Sequence, residues 1–380
     1  MRRLAVAVFA LAALAAVPSA EACDCGGCPP ISCGTTSTTV APGLLFVRNF
    51  GQQGQLDVFK VETGGHRFSL PPGRVSANGA RYFTAARSHG STVFRAYDAR
   101  TGRVLHSWTH PGRDWSVSGV SANGGRIALL RPTRKLTSIE LVDSERGRTL
   151  RRISLRGWFE VDAVPNDGRR LFLIQYVNRG YLIRRYDLSR RALAARSLTE
   201  KGVPMAGTAW DAVASRDGRW LLTLYLRGSN AAEVHTLDLV HGTAVCIDLP
   251  RGESTAIQQY ALALGRDGRT LYAANPALGV VAKIDLRTKR VVHVDRFAGH
   301  PDPAWQSPNA AVSHDGRTIY FTAGRRLYAY DAAYGVVRGT YDPGAAVSGI
   351  AFSGDDHRLL VVRRDYRVVR FDAATGSRIR

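Results

Sequence analysis

The sequence predicts an all-β chain, a β-propeller of four-stranded blades, with eight blades and seven as the alternative. Three observations predict it. A short turn motif recurs: SANGAR (76–81), SANGGR (121–126), PNDGRR (165–170), SRDGRW (215–220), GRDGRT (265–270), SHDGRT (313–318) and SGDDHR (353–358). Its Asx positions, Asn78, Asn123, Asp167, Asp217, Asp267, Asp315 and Asp355, are 45, 44, 50, 50, 48 and 40 residues apart. A second Asp follows each turn by 16 to 21 residues, at Asp98, Asp143, Asp187, Asp238, Asp285, Asp331 and Asp372, where a strand ends. Four short strands per unit of about 40–50 residues are the pattern of propeller blades.

The first 22 residues read as an export signal. Arg2 and Arg3 supply a positive start, Leu4 to Val17 is an unbroken apolar run of 14, and Ala20-Glu21-Ala22 has the small-x-small form of a cleavage site. The run is shorter than the ~18 residues that span a bilayer. The mature chain is expected to begin at Cys23, and a cysteine there also raises lipidation. Leu is missing from the position three residues before it and Glu21 lies within the box, which counts against a lipid.

Residues 23–42 form a Cys-rich segment and linker. Cys23, Cys25, Cys28 and Cys33 cluster, and Cys246 lies far away. In an oxidising compartment such clusters pair as disulfides, so Cys25, Cys28, Cys33 and Cys246 are the disulfide candidates. Metal binding by the thiolates and free thiols are the alternatives.

The propeller is expected over 43–380. Residues 43–70 carry the later part of a unit without its Asp-Gly turn, and TTSTTV or a C-terminal strand would complete that blade. In the seven full units, a small inner strand such as SGVS, VDAV, ALAL or NAAV precedes the turn. The Asn-Gly and Asp-Gly pairs predict type I′ turns, which need φ > 0 at both central residues. The last copy has Asp356 in place of Gly. A long strand follows each turn (RIALL, LFLIQY, WLLTLYL), then the Asp-terminated strand, a turn such as Thr-Gly, and an outer strand such as VVHVDRF. The final outer strand falls at GSRIR, so ring closure would join the two ends.

The segment TLYAANPALGVVAKIDLRTKRVVHV (270–294) resembles the YVTN-type repeat of YncE-like bacterial propellers: a strand, a small-polar turn, then a strand ending in Asp before a turn. The S-x-D-G-R motif is similar to repeats of TolB-like and WD-repeat proteins. The literal YVTN tetrad and the Trp-Asp ending of WD repeats are absent. The resemblance implies a propeller over nearly all of 43–380. Many members of such families are exported binding proteins or have no known activity, so the resemblance speaks to the fold.

Basic residues exceed acidic ones by 21, and 47 of the 52 are Arg. They are spread along the chain and form no block. With so much Ala and Gly, this reads first as compositional, yet the field still attracts polyanions such as acidic headgroups or wall polymers. The export signal argues against a specific nucleic-acid partner. The repeated Asp residues read as turn caps that accept backbone N–H groups. His314 and His357 read as exposed turn residues. No HExxH, GxSxG, P-loop or GxGxxG pattern is present. No catalytic residue, metal or cofactor is therefore assigned.

One pattern points to a ligand. Trp115, Trp158, Trp210 and Trp305, with Tyr260, fall just before inner strands, near Asp114, Glu160, Asp211, Gln259, Asp302 and Gln306. In a propeller that connection opens on the face shared with the loop between the second and third strands. Aromatics with polar neighbours on one rim make a shallow binding surface; the competing role is a wedge between blades. The expected function is an exported, monomeric, non-catalytic propeller of the envelope or extracellular space, binding a protein, peptide or anionic envelope polymer. It would meet a membrane only through a lipid on Cys23 or its surface charge. The alternative is a propeller enzyme of the lactonase, lyase or quinone-dependent dehydrogenase type with a metal or cofactor in the channel.

Overall fold

A computed structural model describes residues 37–41, 43–49, 54–133, 135–178, 180–198, 202–228, 230–300 and 309–379. Their strands form eight four-stranded sheets, each antiparallel and each in chain order. Blades 1 to 8 span 37–70, 73–111, 116–156, 159–193, 208–248, 261–296, 310–341 and 347–379. The count is eight, not seven. The partial first unit is completed by the strand Ser37–Ala41, which takes the inner position through its pairing with Leu44–Asn49. The single helix among the described residues is one turn, Ser254–Ile257, and no described helix is long and apolar enough to cross a membrane.

The repeated turns differ from the type I′ expectation. In the first copy the Gly79 N–H donates to the Ser76 carbonyl (2.8 Å) and the Ser76 N–H to the Arg81 carbonyl (2.9 Å). Positive φ is confined to the glycine, +72° at Gly79, and Asn78 is not left-handed. The element is a type I turn followed by a left-handed residue, the three-residue hairpin with a bulge. In all seven copies the Asx Oδ1 accepts the N–H two residues on, and a buried serine heads five of the motifs. In five copies (Ser76, Ser121, Ser215, Ser313, Ser353) its Oγ donates to the Asx Oδ1 over 2.6–2.8 Å. The same Oγ accepts the N–H five residues on. The Asx oxygen in turn accepts the N–H two residues beyond it, as from Ala80 (3.0 Å) and Arg317 (2.9 Å). A local side-chain network thus selects the turn. Asp356 adopts the left-handed conformation in the glycine's place, at φ +61°.

The second Asp of each unit is a cap. All seven accept the backbone N–H groups two and three residues ahead, for example Asp98 from Arg100 and Thr101, both 2.9 Å. The last does so from Ala374 and Thr375.

Long strands alternate their large apolar side chains between the two neighbouring blades, so the core is a ring of junctions. Phe83 and Phe94 of blade 2 meet Ile127 and Leu129 of blade 3. Leu222 and Val234 of blade 5 meet Leu271 and Ile284 of blade 6. The ring closes where Leu45, Val47 and Phe59 of blade 1 pack against Ala351, Leu360 and Val362 of blade 8. Closure uses this packing and hydrogen bonds to Glu62 rather than a shared blade, because each of these two blades owns all four of its strands.

On the face of the repeated turns, hydrogen bonds tie several neighbours together. The Asn78 N–H reaches the Ala122 carbonyl (3.0 Å), the Asn123 N–H reaches Asn166 Oδ1 (3.0 Å), and Asn166 Nδ2 reaches the Asp217 carbonyl (3.2 Å). The Asp315 N–H donates to Asp356 Oδ2 (3.0 Å) and the Gly354 N–H to Glu62 Oε1 (3.0 Å). His314 is half-buried rather than exposed, and its ring bonds the Asp356 carboxylate.

Candidate functional site

On the opposite face Trp115, Trp158 and Tyr260 just precede their inner strands, whereas Trp210 lies within its strand, Thr208–Ala214, and not before it; the structure places the four unequally. Trp115 is buried between blades 2 and 3, with the Arg131 guanidinium 5.1 Å and the His110 ring 4.7 Å from its ring. Trp210 is half-buried between blades 5 and 6, and its Nε1 donates to the Gln258 carbonyl (2.8 Å). Tyr260 is fully buried in the same junction and donates to the Pro250 carbonyl (2.9 Å). Trp158 differs: it is 44% exposed. Trp305, with Asp302 and Gln306, lies outside the described residues.

Trp158 stands on a built platform. Its ring packs on Tyr176, centroids 4.5 Å apart and planes 33° apart. The Tyr176 N–H donates to the Trp158 carbonyl (3.0 Å), so the two strand ends are fixed to each other. The Tyr176 hydroxyl donates to Glu160 Oε2 (3.0 Å). Glu160 is buried, and burial pushes its pKa up to about 6 against the lowering effects of the Tyr176 hydrogen bond and the Arg74 charge.

Two residues on, Asp162 sits at a β-bulge, where the pairing of Phe159–Ala163 with its neighbour shifts between Val161 and Ala163. Bulges re-aim a side chain and are enriched near functional sites. Asp162 is fully enclosed; burial and then the Glu160 charge push its pKa up to about 7. Its Oδ2 has no hydrogen-bond partner among the described residues. The stacked rings of Tyr181 and Tyr225, 5.4 Å apart, feel its charge from the blade 4/5 junction.

That junction is divided. One apolar group joins Phe172 to Leu221 and Leu237, and another joins Ile174 and Ile183 to Tyr225. On the blade 5 side, the paired Thr223 and His235 stand between Leu221 and Tyr225, both buried. Burial pushes the His235 pKa down to about 4, so the ring is neutral. Its Nδ1 lies 3.6 Å from the Sγ of Cys246, half-buried on the outer strand Thr243–Asp248. The other four cysteines, Cys23, Cys25, Cys28 and Cys33, and the whole of 1–22 lie outside the described residues.

The remaining polar neighbours of the aromatics do other work. Asp211 accepts the Leu262 N–H of blade 6 (3.1 Å) and its pKa is pushed up to about 6 by burial. Asp114 is exposed in an ion pair with Arg87 (2.7 Å). Among the described residues no group of three or more His, Cys, Asp or Glu is placed to hold a metal ion. Sequence reasoning singled out Trp158 and Glu160 but missed Tyr176, Asp162, Tyr181, Tyr225 and His235. The available signal was VDAV, an inner strand with a carboxylate where other copies carry small or aliphatic residues.

Residues 296–379, the end of blade 6 with blades 7 and 8, match the family described as outer membrane protein assembly factor BamB. No curated relative matches the chain. Among solved structures, a dihydro-heme d1 dehydrogenase NirN in complex with DHE is similar at 16% identity and TM-score 0.56, over 93% of this chain and 73% of that one. A eukaryotic initiation factor is similar at 13% identity and TM-score 0.53, over 90% and 86%. At these identities the likeness is one of fold, and the chain is a β-propeller whose last two blades are similar to BamB-type repeats.

Proposed function

We propose that this protein is an exported, monomeric propeller of the bacterial envelope or extracellular space that binds a protein, peptide or anionic polymer on the face bearing Trp158. The exposed Trp158 held on Tyr176 carries the reading. An indole kept in water by a rigid, hydrogen-bonded support offers apolar area to a ligand at little ordering cost. Trp115, Trp210 and Tyr260 hold blades together, so among the described residues the contact centres on blade 4. The BamB-like last blades support an envelope setting, and the excess of 21 positive charges supports an anionic partner. On this reading residues 1–22 are the signal, 23–42 a Cys-rich segment and linker whose end, Ser37–Ala41, is the inner strand of blade 1, and the repeats kin to the YVTN type. Binding to envelope extract by wild type and Trp158→Ala tests it: loss of binding with an intact fold is expected, and unchanged binding refutes it.

A second reading, a propeller enzyme, is favoured by one observation, the adjacent Glu160 and Asp162 with pKa values pushed up to about 6 and 7. Such values suit acid–base work near neutrality. Turnover of a lactone panel that disappears in Asp162→Asn would support this reading, and no turnover by wild type would count against it.

A further inference from the structure

On the face of the repeated turns, blade 7 carries a cavity of about 470 Å³. Asp315, Arg317 and Thr318 line it from the repeated turn, and Asp331, Tyr334 and Arg338 from the turn between the third and fourth strands and the strand beyond. The sequence explains why it is open. The last residue of the turn motif is Arg81, Arg126 and Arg170 in blades 2 to 4, but Thr270 and Thr318 in blades 6 and 7. Arg81 and Arg126 each lie over the turn glycine of the following blade, where a methyl group on Gly124 or Gly168 would strike them. A methyl group on Gly316 of blade 7 would meet nothing within 4 Å. The short threonines leave space where a guanidinium lies in those copies.

Tyr334 is 82% exposed, more than any other large apolar side chain of the described residues. The turn itself does not call for it. Three residues after the capping Asp, Thr101 and Thr375 donate their hydroxyls to the carboxylate over 3.0 and 2.9 Å. Tyr334 holds that place in blade 7 and reaches Asp331 through its N–H alone (3.1 Å). The chain gives up a capping bond there and holds an aromatic ring in water beside a cavity.

The charges around the cavity balance, two carboxylates against two guanidinium groups, so nothing in it calls for an ion. Its walls are also fixed in advance. Arg338 donates to Thr318 Oγ1 (2.7 Å) and lies 3.4 Å from Asp331 Oδ2. Asp315 Oδ1 accepts the Ser313 hydroxyl (2.6 Å) and the Arg317 N–H (2.9 Å). These bonds leave the Arg317 guanidinium as a donor and Asp315 Oδ2 as an acceptor, side by side.

We infer that this cavity binds a neutral saccharide, one sugar ring stacking on Tyr334 while its adjacent hydroxyls bond Asp315 and Arg317. The C–H face of a sugar ring is apolar and slightly positive, which suits the negative face of an aromatic ring. Each hydroxyl both donates and accepts, which suits a carboxylate next to a guanidinium. The volume falls within the ~300–1,000 Å³ of small-ligand sites. The site lies on the face opposite Trp158 and does not rest on that reading.

Calorimetric titration of the full chain with maltose, cellobiose and di-N-acetylchitobiose tests the site. Saturable binding of at least one sugar is expected, weakened about tenfold in Tyr334→Ala, a factor worth ~1.4 kcal/mol. Tyr334→Phe keeps the ring and should bind within about twofold of wild type, because the ring face makes the contact. Arg317→Ala should weaken binding as well, with the melting temperature unchanged, since its side chain is exposed. Val240→Ala, an exposed apolar residue in the matching turn of blade 5, should bind as wild type does. The bound sugar should also raise the wild-type melting temperature, as a ligand of the folded state does. No saturable binding of any of the three sugars, wild-type affinity in Tyr334→Ala, or an equal loss in Val240→Ala overturns the proposal.

Discussion

The Tyr176 hydroxyl donates to Glu160 over 3.0 Å while the Tyr176 ring carries Trp158. One residue therefore links an exposed aromatic to a buried acid. Next to that acid lies Asp162, enclosed at a bulge with Oδ2 unpartnered among the described residues. A buried carboxylate in this state works against the fold at neutral pH, and the geometry predicts how.

Asp162 has a folded pKa of about 7, above its ordinary value. Protonation therefore favours folding: its contribution is fully present below the ordinary carboxylate pKa and is lost as pH rises through about 7. Asp162→Asn keeps the shape and removes the charge. It should stabilise the protein by roughly 2–4 kcal/mol at pH 8 and by little at pH 4. Denaturant melts at the two pH values check this; an equal effect at both would contradict it.

The turn caps predict the opposite window. Asp238 is buried, and its pKa is pulled below the ordinary value: burial raises it, and the His241 N–H, the His241 ring and Arg219 outweigh that. Its contribution is present above the ordinary carboxylate pKa and is lost as pH falls through the lowered folded value. Asp238→Ala should cost roughly 1–3 kcal/mol at pH 7, the range for hydrogen bonds to a charged group. The difference from wild type should shrink as acid is added, and melts across pH 3–7, about the span in which carboxylates titrate, read it.

The rim aromatics should separate by burial. Trp115→Ala opens a cavity between blades 2 and 3 and should cost ~3–5 kcal/mol. Trp210→Ala should cost somewhat less, since the ring is only half-buried but also donates to Gln258. Trp158→Ala should cost under ~1 kcal/mol. Thermal melts of the three variants measure the order, and equal losses would remove the distinction.

Asp356 in the left-handed region carries a small strain, about 1 kcal/mol for a short polar residue. Its carboxylate also clips the Asp315 N–H and the His314 ring of the neighbouring blade, and hydrogen bonds to a charged group contribute ~1.5–3 kcal/mol. The clip wins. Asp356→Gly should destabilise by roughly 1 kcal/mol although it restores the turn's usual residue; a stabilised variant would show that strain dominates.

Much of the fold was legible because its signals are local. The Asx-Gly turns and the Asp caps fix strand ends through bonds to neighbours two to five residues away, as Ser76 with Asn78 and Asp98 with Arg100 show. The sequence allows either TTSTTV or a C-terminal strand to complete blade 1, and the structure settles it: the strand Ser37–Ala41 pairs with the next strand in sequence. The turn type was not legible, because dipeptide preference says nothing of the Asx side-chain bond that every copy makes to the N–H two residues on. The site was half legible for the same reason. Trp158 and Glu160 are near neighbours in sequence, whereas Tyr176 reaches them across a strand pair, and Tyr181 and Tyr225 lie on different blades. Nor does sequence position tell a wedge such as Trp115 from a surface ring such as Trp158; only the packing of adjacent blades decides.

The central claim is that Trp158 on Tyr176 is the contact point for an envelope ligand. The most direct measurement is the binding isotherm of wild type and Trp158→Ala on immobilised envelope material, beside their thermal melts. The account predicts binding weakened at least about tenfold, as for a central aromatic contact, with the melting temperature nearly unchanged. Undiminished binding by a folded Trp158→Ala protein would contradict it.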